Sequence, residues 1–273
     1  MQLQNAKEKF VQQNIKLAAI SYDSPEILRD FAARHQLDFP LLGDPHSEVI
    51  RNFHVLNAEA KGMTTGMARP GFYLIDQNGA IREAYFVPNY ADRLTPNSFI
   101  AKLFPELTEE VRQNVDAPHL KLIAAASDHF VSPGSRITLS ADIELPPDVH
   151  VYSPGVQGYK AVQLMLPAVP GIALAPAIYP VPNALYLAAI KETVPVFNGK
   201  FRVSQDVTII PSKTGGIVRS LLSSEKTITI SGSLQYQTCD QTTCYPPDTI
   251  PLAWQLQVIP LDLTRSPATI RHK

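Results

Sequence analysis

The sequence predicts two domains, an α/β layer with a mixed sheet followed by an antiparallel β-sandwich. A change of texture carries this reading. Up to about residue 104, helical patterns alternate with strand-like runs, whereas from His119 onward short runs of period-two alternation follow one another with proline between them. A chain of 273 residues, 45% hydrophobic and 18% charged, also has the length and apolar content for about two packed cores. A further observation says where chemistry is to be sought. The only two cysteines, Cys239 and Cys244, stand in Tyr236-Gln-Thr-Cys-Asp-Gln-Thr-Thr-Cys-Tyr-Pro-Pro247, between two strand-like stretches.

In the first domain, Leu3, Phe10 and Val11 mark one face of an amphipathic helix, and Ile15 to Ser21 reads as a buried strand. Ser24 is a helix cap with Pro25 in the first turn, and that helix runs to about His35. Phe39-Pro-Leu-Leu is a short strand ending at Gly43-Asp44, and Pro45 to Phe53 is expected as a helix. Arg69 to Asp76 and Ile81 to Val87 flank Asn78-Gly79, the signature of a hairpin. Thr95-Pro-Asn-Ser opens a last helix.

Residues 105–117 are polar and charged and read as a linker, with one short helix capped by Thr108. Strands follow at Lys121 to Ala126, Arg136 to Leu145, His150 to Tyr152, Val162 to Leu166 and Gly199 to Ile210. Lys226 to Tyr236 and Ile250 to Ile259, on either side of the cysteines, close the sandwich. The expected boundaries are 1–104 for the first domain, 105–117 for the linker, 118–262 for the sandwich and 263–273 for a frayed tail.

Charge excludes several partners. A net charge of −1 and a pI near 6.7, with no Lys/Arg cluster, leave no footprint for nucleic acid or anionic lipid. The longest apolar region, Leu164 to Pro182, is interrupted by Pro167, Pro170, Pro176 and Pro180, so no membrane-spanning helix is expected there. The start has no apolar signal core. It opens inside a helical pattern without a cap, so an incomplete N-terminus is expected.

The residues Ala19-Ile-Ser-Tyr-Asp-Ser-Pro-Glu, Phe39-Pro-Leu-Leu-Gly-Asp-Pro and Ala68-Arg-Pro-Gly-Phe-Tyr-Leu-Ile-Asp-Gln-Asn-Gly resemble the peroxiredoxin branch of the thioredoxin fold, the redoxin or AhpC/TSA group, over about residues 1–104. In that family the first strands and the peroxidatic-cysteine loop precede the helix that opens this chain, so the resemblance implies an incomplete thioredoxin-like domain. Residues 1–104 hold no cysteine, and peroxidase chemistry has no thiolate without one. By resemblance Arg69 stands where the family keeps a cation near its active site, and Pro70 where a cis proline is common. A surface charge beside a strand is the plainer reading of Arg69. A sheet lacking its opening strands is expected to leave an apolar edge for self-association.

For the cysteine pair three readings compete. A structural bridge is common in exported β domains, but closing so small a loop removes only roughly 2 kcal/mol of chain entropy, against nearly 5 for a loop of ~100 residues. Zinc generally takes four ligands, and His35, His46, His54, His119, His129, His150 and His272 show no paired spacing near the cysteines. No metal or cofactor is expected. The redox reading needs two thiols within reach of each other and a wall that protects them, for which Tyr236, Tyr245 and Pro246-Pro247 are candidates. With Asp240 and Asp248 nearby and no Lys or Arg between Leu234 and Leu252, the thiols are expected to be ordinary and slow until a partner docks.

Tyr236-Gln-Thr-Cys239 and Cys244-Tyr-Pro-Pro-Asp resemble the cysteine signature of the N-terminal periplasmic domain of the DsbD thiol:disulfide interchange family. Leu145-Pro-Pro-Asp-Val-His-Val-Tyr-Ser-Pro-Gly and Pro195-Val-Phe-Asn-Gly-Lys-Phe-Arg-Val resemble its earlier strands, and the likeness spans about residues 120–260. The resemblance implies an immunoglobulin-like sandwich in a periplasmic or otherwise extracytoplasmic setting, with a cytoplasmic setting as the alternative. It implies Cys239 and Cys244 as a redox pair exchanging with thioredoxin-like or other redox proteins, with Cys244 the sulfur that forms mixed disulfides. Tyr152 falls where the family has an aromatic beside the pair, and His150 where another aromatic is usual. Tyr186 and Leu187 are candidates for the shielding loop, and the spacer Asp240-Gln-Thr-Thr243 is one residue shorter than is common. The rival functions are a non-catalytic exported interaction module with a structural disulfide, and a thiol peroxidase if a cysteine lies upstream.

Overall fold

Local capping chemistry and strand alternation set most elements of the computed structural model, which describes residues 2–87, 92–107, 111–187, 191–210, 227–259, 264 and 266–270. The chain divides into one unit of residues 1–107 with 261–273 and a second of residues 108–260. Each is described by itself.

In the first unit α1 (Gln2–Asn5) and α2 (Lys7–Gln12) precede β1 (Ala19–Ser21), α3 (Pro25–Arg34), β2 (Leu41–Gly43) and α4 (Glu48–Asn52). The hairpin of β3 (Gly71–Ile75) and β4 (Ile81–Phe86) follows, then β5 (Arg93–Leu94) and α5 (Pro96–Leu103). The caps act as the sequence suggests: Ser24 Oγ accepts from the Ile27 amide at 3.4 Å, and Thr95 Oγ1 from the Ser98 amide at 3.1 Å. Both helices carry proline in the first turn, where a missing N–H costs no hydrogen bond. The hairpin turns at Gly79, whose φ of +81° is open to glycine, and Asp76 Oδ1 accepts from the Asn78 and Ala80 amides.

Three expectations need correction here. The strand read over Ile15 to Ser21 is ordered as strand only at Ala19–Ser21, and the helix read over Pro45 to Phe53 only at Glu48–Asn52. The cause of the second is Asp44, whose carboxylate takes the Glu48 and Ile50 amides while Ser47 adopts a left-handed φ of +54°, so the helix starts late. The single mixed sheet is instead two separate pairs, parallel β1–β2 and antiparallel β3–β4. The unit's core gathers Ala6, Phe10, Phe99 and Ile100, with Phe72 stacked on Phe99 at 4.9 Å. Ile20, Leu42, Ile75 and Ile81 on the two strand pairs are exposed.

The second unit is nearly all strand. In chain order it contains β6 (Val111–Val115), β7 (Lys121–Ala126), β8 (Phe130–Val131), β9 (Ser135–Glu144), β10 (His150–Tyr152), β11 (Gln163–Met165) and β12 (Ile172–Ile178). There follow β13 (Asn183–Leu187), β14 (Glu192–Asn198), β15 (Lys200–Ile209), β16 (Thr227–Tyr236), β17 (Thr238–Cys239) and β18 (Asp248–Val258). One sheet orders β12-β15-β9-β7-β6, a second β11-β16-β18-β8, and a third, smaller one β13-β14-β10-β17. The stretch read as a linker thus supplies an edge strand, since Val111–Val115 pairs with β7 along its whole length. Thr108, the helix cap expected there, lies outside the described residues, as does His272.

Alternation explains the core. On β18, Leu252, Trp254, Leu256 and Val258 are buried while the residues between them are exposed, the period-two signature of a strand with one wet face. These side chains share one core cluster with Leu234 of β16, Leu139 and Ala141 of β9, and Val203 and Val207 of β15. The first two sheets are therefore layered face to face. β16 and β18 pair over ten residues, from Thr227 opposite Gln257 to Tyr236 opposite Asp248. That ladder ends where the cysteine loop begins.

Candidate functional site

After Tyr236 the chain leaves the β16–β18 ladder and joins the small sheet as β17, with Cys239 opposite His150 and Thr238 opposite Val151. β10 pairs on its other side with β14, placing Tyr152 opposite Val196. Cys239 is 1% exposed and packs in a cluster with Tyr152, Val194 and Val196, bordered by Leu185 and Leu187.

The next residues reverse direction for a legible reason. The Asp240 carboxylate accepts from the Thr242 amide at 2.7 Å, the Thr243 amide at 2.8 Å and the Thr242 hydroxyl at 3.0 Å, the side-chain turn that an Asp followed by hydroxyl residues favours. The Asp240 amide donates to the Thr243 carbonyl, and the Tyr245 amide to the Thr238 carbonyl, both at 2.9 Å. The hairpin so made brings Cys239 and Cys244 to a Cα–Cα distance of 4.0 Å, and their sulfurs are bonded. Cys244 is exposed. The two residues of one bridge thus have opposite exposure.

Electrostatics follow from the same contacts. Hydrogen bonds from the Thr242 and Thr243 amides hold the Asp240 carboxyl down at about 2. Tyr245 donates to Asp240 Oδ2 at 3.1 Å, which raises its phenol above the usual 10, and its ring stacks on His119 at 4.0 Å. Burial lowers the His150 imidazole below its usual 6.5, and Asp240 partly opposes this. His150 is 6% exposed, meets Tyr152 edge-on at 5.4 Å, and leaves its buried Nε2 without a hydrogen-bond partner. Tyr152 stacks on Tyr159 at 4.3 Å, and burial raises its phenol.

The structure brings together Cys239, Cys244, His150, Tyr152 and Tyr245, with Pro246 exposed beside them. Tyr236, expected as part of the wall, is instead fully buried in the layered core and donates to the Pro118 carbonyl at 2.9 Å. It is the last residue of β16, and its pairing opposite Asp248 turns it inward. Of the shielding candidates, Leu187 borders the Cys239 cluster, while Tyr186, one residue away on the other face of β13, is 60% exposed. Arg69 is exposed beside β3, and the peptide bond before Pro70 is trans, as are all those among the described residues.

Two neighbours escaped the sequence reading. His119 and Tyr159 reach the site only through tertiary contacts, and no local spacing announces them. Asp240 did carry a signal, the Asp-x-Thr-Thr turn chemistry. Among the described residues no group of three or more His, Cys, Asp or Glu is arranged to hold a metal ion, and no helix is long and apolar enough to cross a membrane.

Comparison with known proteins gives two family matches on separate parts of the chain. Residues 1–84 match the AhpC/TSA family model, and residues 121–252 match the model for the N-terminal part of the thiol:disulfide interchange protein DsbD. No curated protein matches the chain. Among solved structures it is similar to the N-terminal periplasmic domain of ScsB from Proteus mirabilis, with 15% identity, 53% of this chain and 49% of that chain covered, and a TM-score of 0.35. The match therefore spans about half the length of that solved domain. The chain is also similar to the reduced N-terminal domain of DsbD from Neisseria meningitidis, with 11% identity, 58% and 94% of the two chains covered, and a TM-score of 0.29.

Proposed function

We propose that residues 118–262 form an immunoglobulin-like sandwich that exchanges dithiol for disulfide with protein partners through Cys239 and Cys244. The observation that carries this reading is the asymmetry of the bridge, which joins an exposed residue, Cys244, to a buried one, Cys239. A partner thiolate can reach only an accessible sulfur, and a buried second sulfur protects the mixed disulfide from stray thiols until it is resolved. Cys244 is accordingly the sulfur that enters mixed disulfides. The DsbD-type family match over residues 121–252 contains the pair and supports the same chemistry. The partners are thioredoxin-like or other redox proteins, and the setting is extracytoplasmic, where a disulfide persists between turnovers. Residues 1–104 hold no cysteine and contribute no thiol to the exchange.

Redox titration against glutathione tests the reading. An exchanging pair has a potential appreciably above about −300 mV, and a value below that assigns the bridge to a purely structural role. Trapping gives a second readout: Cys239→Ser should accumulate a mixed disulfide through Cys244 with a thioredoxin-like protein, whereas Cys244→Ser should not.

A further inference from the structure

Exchange at this pair contains one step for which the loop offers no help. When Cys244 carries a mixed disulfide, Cys239 must lose its proton before it can attack, because the thiolate is the nucleophile. Its surroundings oppose that loss. Cys239 is packed against Tyr152, Val194 and Val196 and is followed by the Asp240 carboxylate, and both burial and a neighbouring negative charge favour the neutral thiol.

One side chain is placed to shift this balance. His150 is the residue directly opposite Cys239 in the β10–β17 ladder, and residues so paired have Cβ atoms roughly 5 Å apart on one face of the sheet. Its Nε2 is buried and unpartnered, an arrangement that costs free energy in the oxidised state and leaves that nitrogen without a competing hydrogen bond. The groups facing it are Asp240 from the loop, the Tyr152 ring from its own strand and the uncharged Asn198 opposite it on β14. Burial outweighs Asp240 and lowers its pKa below the usual 6.5, which favours the neutral ring that can accept a proton.

We propose that His150 is the base that takes the proton of the Cys239 thiol as the mixed disulfide is resolved, an inference that rests on the exchange reading above. Cys239 Sγ forms its bond to Cys244 Sγ, the bond from Cys244 Sγ to the partner sulfur breaks, and the electron pair leaves on that sulfur. The proton passes from the imidazole to the departing thiolate or to water. Over both steps the cysteine pair is oxidised by two electrons and the partner's disulfide is reduced by two. In the reverse direction the imidazolium protonates Cys239 as it leaves.

The test mixes the fully reduced whole chain with excess dithiobis(nitrobenzoate) and follows release of the coloured thiol. A first equivalent reports attack by Cys244 on the reagent, and a second reports its displacement from Cys244 by Cys239. In the wild type the second phase should slow as pH falls through a midpoint below 6.5, where the imidazole becomes protonated. In His150→Phe and His150→Gln the second phase should be about tenfold slower or more at pH 7 and rise only through the free-thiol range near pH 8.5, with the first phase unchanged. Phe keeps the ring and Gln keeps the polarity, so a packing defect in one variant is recognised by comparison with the other. Equal rates and pH profiles in wild type and either folded variant overturn the role of His150. A wild-type profile without an inflection below pH 7 does so with no variant at all. Absence of any second phase in the wild type refutes the exchange reading itself.

Discussion

Reducing the bond between Cys239 and Cys244 should leave the second unit folded and lower its melting temperature only modestly. Reduction is the cleanest perturbation because both sulfurs stay in place and the packing of Cys239 against Tyr152, Val194 and Val196 is kept. The bridge joins residues five positions apart, and opening so short a loop returns about 2 kcal/mol of chain entropy to the unfolded state. For a domain of this size each kcal/mol moves the midpoint by roughly 2–4 °C, so a shift of about 4–8 °C is expected. The fold has other anchors at this place: the ten-residue β16–β18 ladder ends at the loop, and Tyr236, its last residue, is tied to the Pro118 carbonyl. Trp254 is the only tryptophan and is fully buried in the second unit, so its fluorescence reports that unit alone. Thermal scans of the whole chain with and without dithiothreitol give the shift directly. Emission from an exposed indole at 25 °C after reduction, or a shift beyond about 15 °C, would show that the bridge holds the sandwich together, and the argument from loop size would fail.

The remaining perturbations probe the packing of β16 and the turn of the cysteine loop. At Gly232 an added β-carbon meets Leu166 Cδ2 at 2.5 Å, the Met165 carbonyl oxygen at 2.9 Å and Trp254 Cζ3 at 3.1 Å; Gly232→Ala should therefore cost about 1–3 kcal/mol, read from the urea midpoint of Trp254 fluorescence, and an unchanged midpoint would mean that β11 yields freely. The Asp240 carboxyl is depressed from 3.8 to about 2, so its support of the loop is complete above pH 3.8 and is lost as pH falls through about 2. The amide resonances of Thr242 and Thr243 should titrate with that midpoint, and Asp240→Ala should speed their hydrogen exchange at neutral pH; a midpoint near 3.8 would contradict the hydrogen-bonded turn.

Much of this architecture is legible because its causes are local. Proline after a Ser or Thr cap announces α3 and α5, Asn78-Gly79 announces the β3–β4 turn, and alternation from Leu252 to Val258 announces a strand with one buried face. Where reading failed, a contact that the local pattern does not announce had prevailed. Asp44 captured the amides that the expected longer α4 needed. Val111–Val115, polar enough to pass for a linker, became a strand because β7 offered it an edge. Tyr236 looked like part of the redox wall by proximity to Cys239, but the pleat that places it opposite Asp248 directs it into the layered core.

The same division runs through the site. From the sequence alone come the identity of the two cysteines, their separation, the hydroxyl-rich turn between them and the absence of lysine or arginine nearby, since each is a property of adjacent residues. Which cysteine is exposed, which side chains pack around the buried one, and that a histidine stands across the ladder from it were settled only by tertiary structure. The reason is physical. Burial and cross-strand pairing are relations between β10, β14 and β17, strands far apart in the chain, and they tune a thiol through desolvation and proton exchange that no local composition encodes.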